Sequence, residues 1–183
     1  ELAPHPVVIR TIDLGGDKMP PQYAWPEKNP FLGLRGIRFC LQYPELFRTQ
    51  LRAILRASTF GKVKVMFPMI GSLEQLEAAN HQIELTKEEL RQQGQAFNEA
   101  IQRGIMVEIP AAASILEELS EQCDFLSIGT NDLMQYLLAA DRNNERVSNL
   151  YDPFHPALLK TLHQIAAVAT QRDIPLSLCG EMA

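Results

Sequence analysis

The chain is poor in cysteine, in long apolar runs and in positive charge, and each shortage excludes something. Its 183 residues hold three cysteines, Cys40, Cys123 and Cys179, far apart and with no C-x-x-C pair. That spacing excludes a disulfide framework, and free thiols fit a reducing cytoplasm. Among four histidines, no two stand at metal-binding spacing, so neither a zinc site nor a Ser-His-Asp nucleophile is expected. His155, in F-H-P, reads as a helix-start residue; His5, His81 and His163 read as structural or exposed. No apolar run reaches the ~20 residues of a membrane span and no signal-peptide pattern opens the chain, so no membrane insertion is expected. Seventeen Lys and Arg against 22 Asp and Glu give a net charge of −5. That balance argues against a nucleic-acid surface, although it leaves room for a local basic pocket around an anionic metabolite.

What is present is ordinary for a globular domain: 46% of residues are hydrophobic and 21% charged. Residues 1–183 are read as one domain or a piece of a larger one. There is no initiator Met, a strand begins almost at once, and the chain stops inside C-G-E-M-A, so an excised fragment incomplete at both ends is expected.

Short apolar runs at Val7-Val8-Ile9, 63–67, 105–107, 125–128 and 174–178 read as strands, the first of a kind that suits cover on both faces. Gly15-Gly16-Asp17 turns the chain, and 19–30 is Pro-rich loop. Residues 31–38 are predicted to be a short strand entering a helical turn. Pro44 opens a helix whose stripe is Leu46, Phe47, Leu51, Ile54 and Leu55. Ser72 with Gln75 resembles a capping box before a helix with Leu73, Leu76, Ala79 and Ile83 inward and its Glu and Lys residues outward. Further helices are expected through Ile115, Leu116 and Leu119, after Asp132, and through Leu159, Leu162 and Ala166. Strand and helix alternating in this way mean parallel strands with crossover helices. Polar residues recur directly after the strands: Arg10, Glu108, Asn131 with Asp132, and Cys179. A closed barrel gathers strand ends into one ring, whereas an open sheet spreads them along an edge, so the barrel is favoured.

The chemistry concentrates in 127–144, S-I-G-T-N-D-L-M-Q-Y-L-L-A-A-D-R-N-N. On spacing alone, Thr130, Asn131 and Asp132 are an ordinary helix cap. The sharper reading is a carboxylate and an amide at the edge where α/β folds bind ligands, with Arg142 further along. Two carboxylates from separate strand ends, Glu108 and Asp132, are too few for a calcium cage and suit Mg2+, which keeps waters and recruits substrate oxygens. Arg10, Arg35, Arg56 and Arg142 stand near element ends, and guanidinium forks suit phosphate or carboxylate. The competing reading makes Arg38 and Arg56 solvated helix residues. Cys179 lies between a strand and a glycine. A thiol in general keeps its proton at neutrality and can serve as an acid, although a small buried residue is the commoner role.

The motifs T-I-D-L-G-G-D-K, N-P-F-L-G-L-R-G-I-R, Q-L-R-A-I-L-R-A-S, F-P-M-I, M-V-E-I-P-A-A, S-I-G-T-N-D-L-M-Q-Y-L-L-A-A-D-R-N-N, Y-D-P-F-H-P-A-L-L and C-G-E-M-A occur in order. Together they resemble the C-terminal barrel of the phosphoenolpyruvate-protein phosphotransferase family, which serves the bacterial sugar phosphotransferase system, over essentially the whole chain. The resemblance implies a (β/α)8 TIM-type barrel, truncated here, that binds phosphoenolpyruvate and Mg2+. It implies Arg10, Arg35, Arg56 and Arg142 on the substrate's charged groups, Asn131 beside Asp132 on the substrate, Glu108 and Asp132 on the metal, and Cys179 as proton donor. It further implies a cytoplasmic protein, a homodimer at full length, a phosphoryl-accepting His on a separate N-terminal domain, and a phosphocarrier protein downstream. Ile109 and Met134 depart from the family's commoner Thr at both positions. Alternatives are a pyruvate phosphate dikinase or phosphoenolpyruvate synthase, a metal-dependent lyase barrel, or a regulatory dimerisation module sensing phosphoenolpyruvate.

Overall fold

The computed structural model describes residues 4–14 and 26–183. The Gly15-Gly16-Asp17 turn and the expected loop as far as residue 25 lie outside the described residues. Two compact units are present: the described residues up to 69 with 74–103, and residues 70–73 with 104–183.

In the first unit, β1 (Val7–Arg10) and β2 (Val63–Phe67) pair in parallel, Val7 opposite Val63 and Arg10 opposite Met66. Parallel neighbours need a long crossover. Here α1 (Ile37–Gln42) and α2 (Pro44–Ala57) supply it. Pro44, which has no N–H to leave unbonded, starts α2, and Phe47, Leu51, Ile54 and Leu55 are buried as the stripe predicts. Phe47 meets Phe67 of β2 edge-on, with ring centroids 6.2 Å apart, which seats the helix on the strand. The strand expected within 31–38 is absent. Pro30–Leu32 forms a 3-10 turn instead, and α1 begins only after Gly36, which takes φ +54°. Helix α3 (Leu73–Gln92) buries Leu76, Ala79, Ile83 and Leu90. Its Lys87 does not face outward as expected: it is buried, because Nζ donates to Glu84 and to the Glu99 carbonyl at 3.1 and 3.0 Å. Those bonds satisfy an ammonium that burial would otherwise destabilise.

In the second unit β3 (Gln102–Val107, its first two residues in the first unit), β4 (Phe125–Gly129) and β5 (Leu176–Cys179) pair in parallel. All five residues of β4 are buried, as a strand covered on both faces requires. The helix expected after Pro110 is broken at Ile115 into α4 (Pro110–Ser114) and α5 (Leu116–Ser120). Helix α6 (Thr130–Leu138) leaves β4 directly. Helix α7 (Pro156–Gln171) is capped as its sequence predicts, the His155 Nδ1 accepting from the Ala157 N–H at 3.2 Å. Each unit is thus an α/β arrangement of parallel strands joined by helices, and no described helix is long and apolar enough to cross a membrane.

Candidate active site

The first unit brings two of its expected arginines onto one carboxylate. Arg10 is the last residue of β1, and three residues on the Asp13 carboxylate accepts from its guanidinium at 2.7 Å. The same carboxylate accepts from Arg35 Nη2 at 2.9 Å and Nε at 3.3 Å. Arg35 is buried, 6% exposed, while the Arg10 side chain is 43% exposed. One shared carboxylate between two guanidiniums leaves net positive charge, and it offsets the cost of burying Arg35. Asp13 is a site-building residue that sequence reasoning passed over; its signal was its place three residues after the strand-end Arg. Gly36 makes the approach possible, since a Cβ there would lie 2.6 Å from Met69 Cγ and 3.2 Å from Asp13 Oδ1. Beside this group the Thr11 hydroxyl is buried without a hydrogen-bond partner. Burial, and secondarily the Asp13 charge, pushes the nearby Cys40 thiol up to about 12, so Cys40 is an inert thiol donating weakly to the Ile12 carbonyl at 3.6 Å.

Arg56 is not brought to this group. It is exposed in the last turn of α2, and the chain passes from there into the start of β2. Because β1 and β2 run in parallel, Arg56 sits where the strands begin, whereas Arg10 sits where β1 ends. Local sequence does not say to which end of a sheet a helix terminus points.

In the second unit the expected residues gather around Gly129, where β4 hands over to α6. Glu108 follows β3 and is 1% exposed; its Oε2 lies so near Gly129 that a Cβ there would stand 2.8 Å away. Thr130, Asn131 and Asp132 do not act as the sequence pattern of a helix cap suggests. The N-cap position falls on Gly129, which has no side chain to cap with. Thr130 Oγ1 instead donates to the Cys179 carbonyl at 3.0 Å, and Asn131 Oδ1 accepts from the Glu181 N–H at 3.0 Å. Both bonds tie the start of α6 to the turn after β5. That turn needs a glycine: Gly180 has φ +105°, and a Cβ would come within 2.3 Å of Thr130 Oγ1. Asp132 is buried in the first turn of α6, and its Oδ1 stands 3.6 Å from Arg142 Nη1. A carboxylate in a helix's first turn also meets the positive end of the helix dipole.

Cys179 ends β5 opposite Gly129. Its half-buried thiol lies 3.3 Å from the Ile128 carbonyl, to which it donates, and accepts from Ser127 Oγ at 3.8 Å. Arg142 is held through its main chain by Gln135, whose Oε1 accepts from the Arg142 N–H at 3.1 Å. Two further residues enter that sequence reasoning missed. Gln135 is buried and fixes the segment after α6. Tyr151 donates from its hydroxyl to the Asn131 carbonyl at 2.9 Å. Burial raises the Tyr151 phenol's pKa, opposed by the Arg142 guanidinium, so the hydroxyl stays protonated. Both lie inside quoted motifs, but their partners across a turn of chain leave no local trace.

The donor set fits a small hard cation. Glu108 and Asp132 supply carboxylate oxygens on either side of Gly129, whose missing Cβ leaves the space against Glu108 open. Among the described residues there is no cluster of three or more His, Cys, Asp or Glu able to hold a metal. Two carboxylates could hold a small hard cation only with most coordination positions left to water or a ligand.

Comparison with known proteins identifies the family. The family model described as "PEP-utilising enzyme, PEP-binding domain" matches residues 1–183. A phosphoenolpyruvate-protein phosphotransferase of Bacillus sp. (strain S) is 50% identical over 179 residues, covering 97% of this chain and 31% of that protein. The Bacillus subtilis (strain 168) protein of the same name is 51% identical over 178 residues, again 97% of this chain and 31% of its own length. The chain thus spans about a third of these curated relatives. Among solved structures, a citrate lyase from Burkholderia xenovorans LB400 superposes with a TM-score of 0.55 at 20% identity, over 72% of this chain and 40% of that one. An HpcH/Hpal aldolase/citrate lyase family protein from Burkholderia cenocepacia J2315 gives 0.50 at 16% identity, over 74% and 54%. At such identities the likeness is one of fold alone. With the family model matched from end to end and half the residues shared with its curated relatives, the chain belongs to the phosphoenolpyruvate-binding domain family of the PEP-utilising enzymes.

Proposed function

We propose that this domain binds phosphoenolpyruvate with Mg2+ and supports transfer of its phosphoryl group to a histidine on a separate domain, releasing pyruvate, as the first step of a phosphotransferase relay. The observation that carries the reading is the gathering of Glu108, Asp132 with Arg142, and the Cys179 thiol around Gly129. Glu108 and Asp132 would hold the cation. When bound, the cation supplies positive charge to the phosphoryl oxygens and to the enolate oxygen left as the phosphoryl group departs. Arg142, and Arg10 and Arg35 from the first unit, would bind the phosphate and carboxylate as planar donors, with net positive charge left over around Asp13. Asn131 would bind substrate beside Asp132. Its Oδ1 is engaged by Glu181, so the amide nitrogen is the end to turn toward a ligand oxygen. Cys179 would deliver the proton that converts the enolate methylene carbon to the methyl group of pyruvate; its neighbours, the Ile128 carbonyl and Ser127 hydroxyl, orient the thiol.

The parallel strands and the family support an eight-stranded barrel at full length. The accepting histidine, the phosphocarrier protein, a homodimer and a cytoplasmic setting belong to the same reading of the whole protein. Titration of oxalate, an enolate mimic, with and without Mg2+ tests the site. Binding should require Mg2+ and be lost in Glu108→Gln. Metal-independent binding, or binding unchanged by Glu108→Gln, would refute the assignment.

A further inference from the structure

Arg142 lies in irregular chain after α6, so its position depends on what fixes that segment. The guanidinium is not held closely. Its Nη1 stands 3.6 Å from Asp132 Oδ1, longer than the roughly 2.7–2.9 Å of a well-made charge-assisted hydrogen bond. The main chain is held better, and Gln135 holds it. Helix α6 closes on Ala139 in the left-handed conformation, and the N–H groups of Ala139 and Ala140 both meet the Gln135 carbonyl, the second at 3.2 Å. Two residues further on, the Arg142 N–H donates to the Gln135 side chain, reaching Oε1 at 3.1 Å. Beyond it the turn closes on Asp141: the Asn143 N–H meets Asp141 Oδ1 at 2.9 Å and the Asn144 N–H meets the Asp141 carbonyl at 3.0 Å. Gln135 is 5% exposed, so water competes poorly for its amide. It stands three residues after Asp132, hence on the same face of α6. That face meets Arg142 twice, Gln135 at the main chain and Asp132 at the guanidinium.

We propose that Gln135 is a positioning residue: its side-chain oxygen fixes the Arg142 main chain so that the guanidinium emerges beside Asp132 and meets an anionic group of the substrate. The proposal rests on the reading of this site as one for phosphoenolpyruvate. A side-chain amide suits the task, because its oxygen accepts an N–H without carrying charge. A glutamate at 135 would add a second carboxylate to the face that bears Asp132. It would compete with the substrate for the guanidinium and repel an anion. An asparagine would be one methylene short, and a methionine would fill the volume with no comparable acceptor.

The test uses the full-length protein carrying this domain. Amide exchange is read by mass spectrometry, oxalate with Mg2+ is the calorimetric probe, and phosphoenolpyruvate turnover is the kinetic one. Gln135→Met, Arg142→Ala and the double variant complete a cycle with the wild type. In Gln135→Met the amides of 140–144 should exchange about tenfold faster while those of 130–138 keep their protection. Oxalate binding should weaken and KM rise by about fivefold to tenfold, with kcat within about twofold. In the Arg142→Ala background Gln135→Met should leave affinity unchanged, because its route to the ligand is gone. Unchanged exchange or affinity in Gln135→Met, equal losses in both backgrounds, or an Arg142→Ala protein that binds oxalate like the wild type would overturn the proposal. So would a Gln135→Met protein that does not fold, or one whose 130–138 amides exchange faster in step, since either places Gln135 in overall stability. Failure of the wild type itself to bind oxalate with Mg2+ would count against the site assignment, a result separable from every outcome of the cycle.

Discussion

Replacing Gly129 by alanine isolates the contact around which the second unit's site is built. Gly129 has φ −91°, a conformation any residue adopts, so the substitution carries no backbone strain. Its cost in the folded state must come from the added methyl, which would lie 2.8 Å from Glu108 Oε2 and 2.9 Å from both Cγ and Sδ of Met106. Contacts that short force a shift. Both neighbours are the outer parts of flexible side chains, but both are buried, Glu108 to 1% and Met106 to 7% exposure. Overpacking of this kind costs about 1–2 kcal/mol. For a chain of this size that lowers the melting temperature by about 2–8 °C. Gly61→Ala is the control, because nothing lies within 4 Å of the position its Cβ would take. It should be neutral or add up to about 1 kcal/mol by restricting the unfolded chain. Shortening the carboxylate tests the cause: Glu108→Asp in the Gly129→Ala background should recover part of the lost stability. Calorimetric melts of the wild type, the three single variants Gly129→Ala, Gly61→Ala and Glu108→Asp, and the double variant decide it. A Gly129→Ala protein that melts with the wild type, or a double variant whose two effects simply add, would refute the reasoning.

Three further expectations follow from the first unit. Asp13→Asn removes the charge that two guanidiniums share; with the Arg35 side chain 7% exposed, the loss should be about 3 kcal/mol in urea unfolding. Arg56→Ala, exposed at the other end of the strands, should leave Mg2+-dependent oxalate affinity within about twofold of the wild type, whereas Arg10→Ala should lower it about tenfold, as loss of a charge-assisted contact does. Cys40 should resist alkylation at neutral pH while the half-buried Cys123 and Cys179 react. Its folded pKa is raised from 9.0 to about 12, so the stability it contributes is present below pH 9 and lost as pH rises from there through about 12. Stability measured against pH should therefore fall less steeply over that window in Cys40→Ala.

The alternation of β-branched runs with amphipathic stripes was enough to determine parallel strands and helical crossovers, because burial periodicity is local. The stripe of Phe47, Leu51, Ile54 and Leu55 is buried as its spacing requires. Motif order carried the family, and it located Glu108, Asp132, Arg142 and Cys179 at or just beyond element ends. What sequence could not say was which partner each polar group takes, since hydrogen bonds across 20 to 50 residues leave no local trace. Thr130 and Asn131 read as a cap and instead brace the turn after β5. Lys87 read as solvated and is buried against a carbonyl twelve residues on. Asp13 and Tyr151 lie inside family motifs that say nothing of their partners, yet one joins Arg10 to Arg35 and the other bonds the Asn131 carbonyl. Arg56 had a motif and lies at the wrong end of its strands, because the direction of a helix terminus is set by strand pairing. Composition, periodicity and motif order thus determined the class of fold and the chemistry available. Only tertiary structure decided which groups face one another, because that depends on contacts between segments distant in the chain.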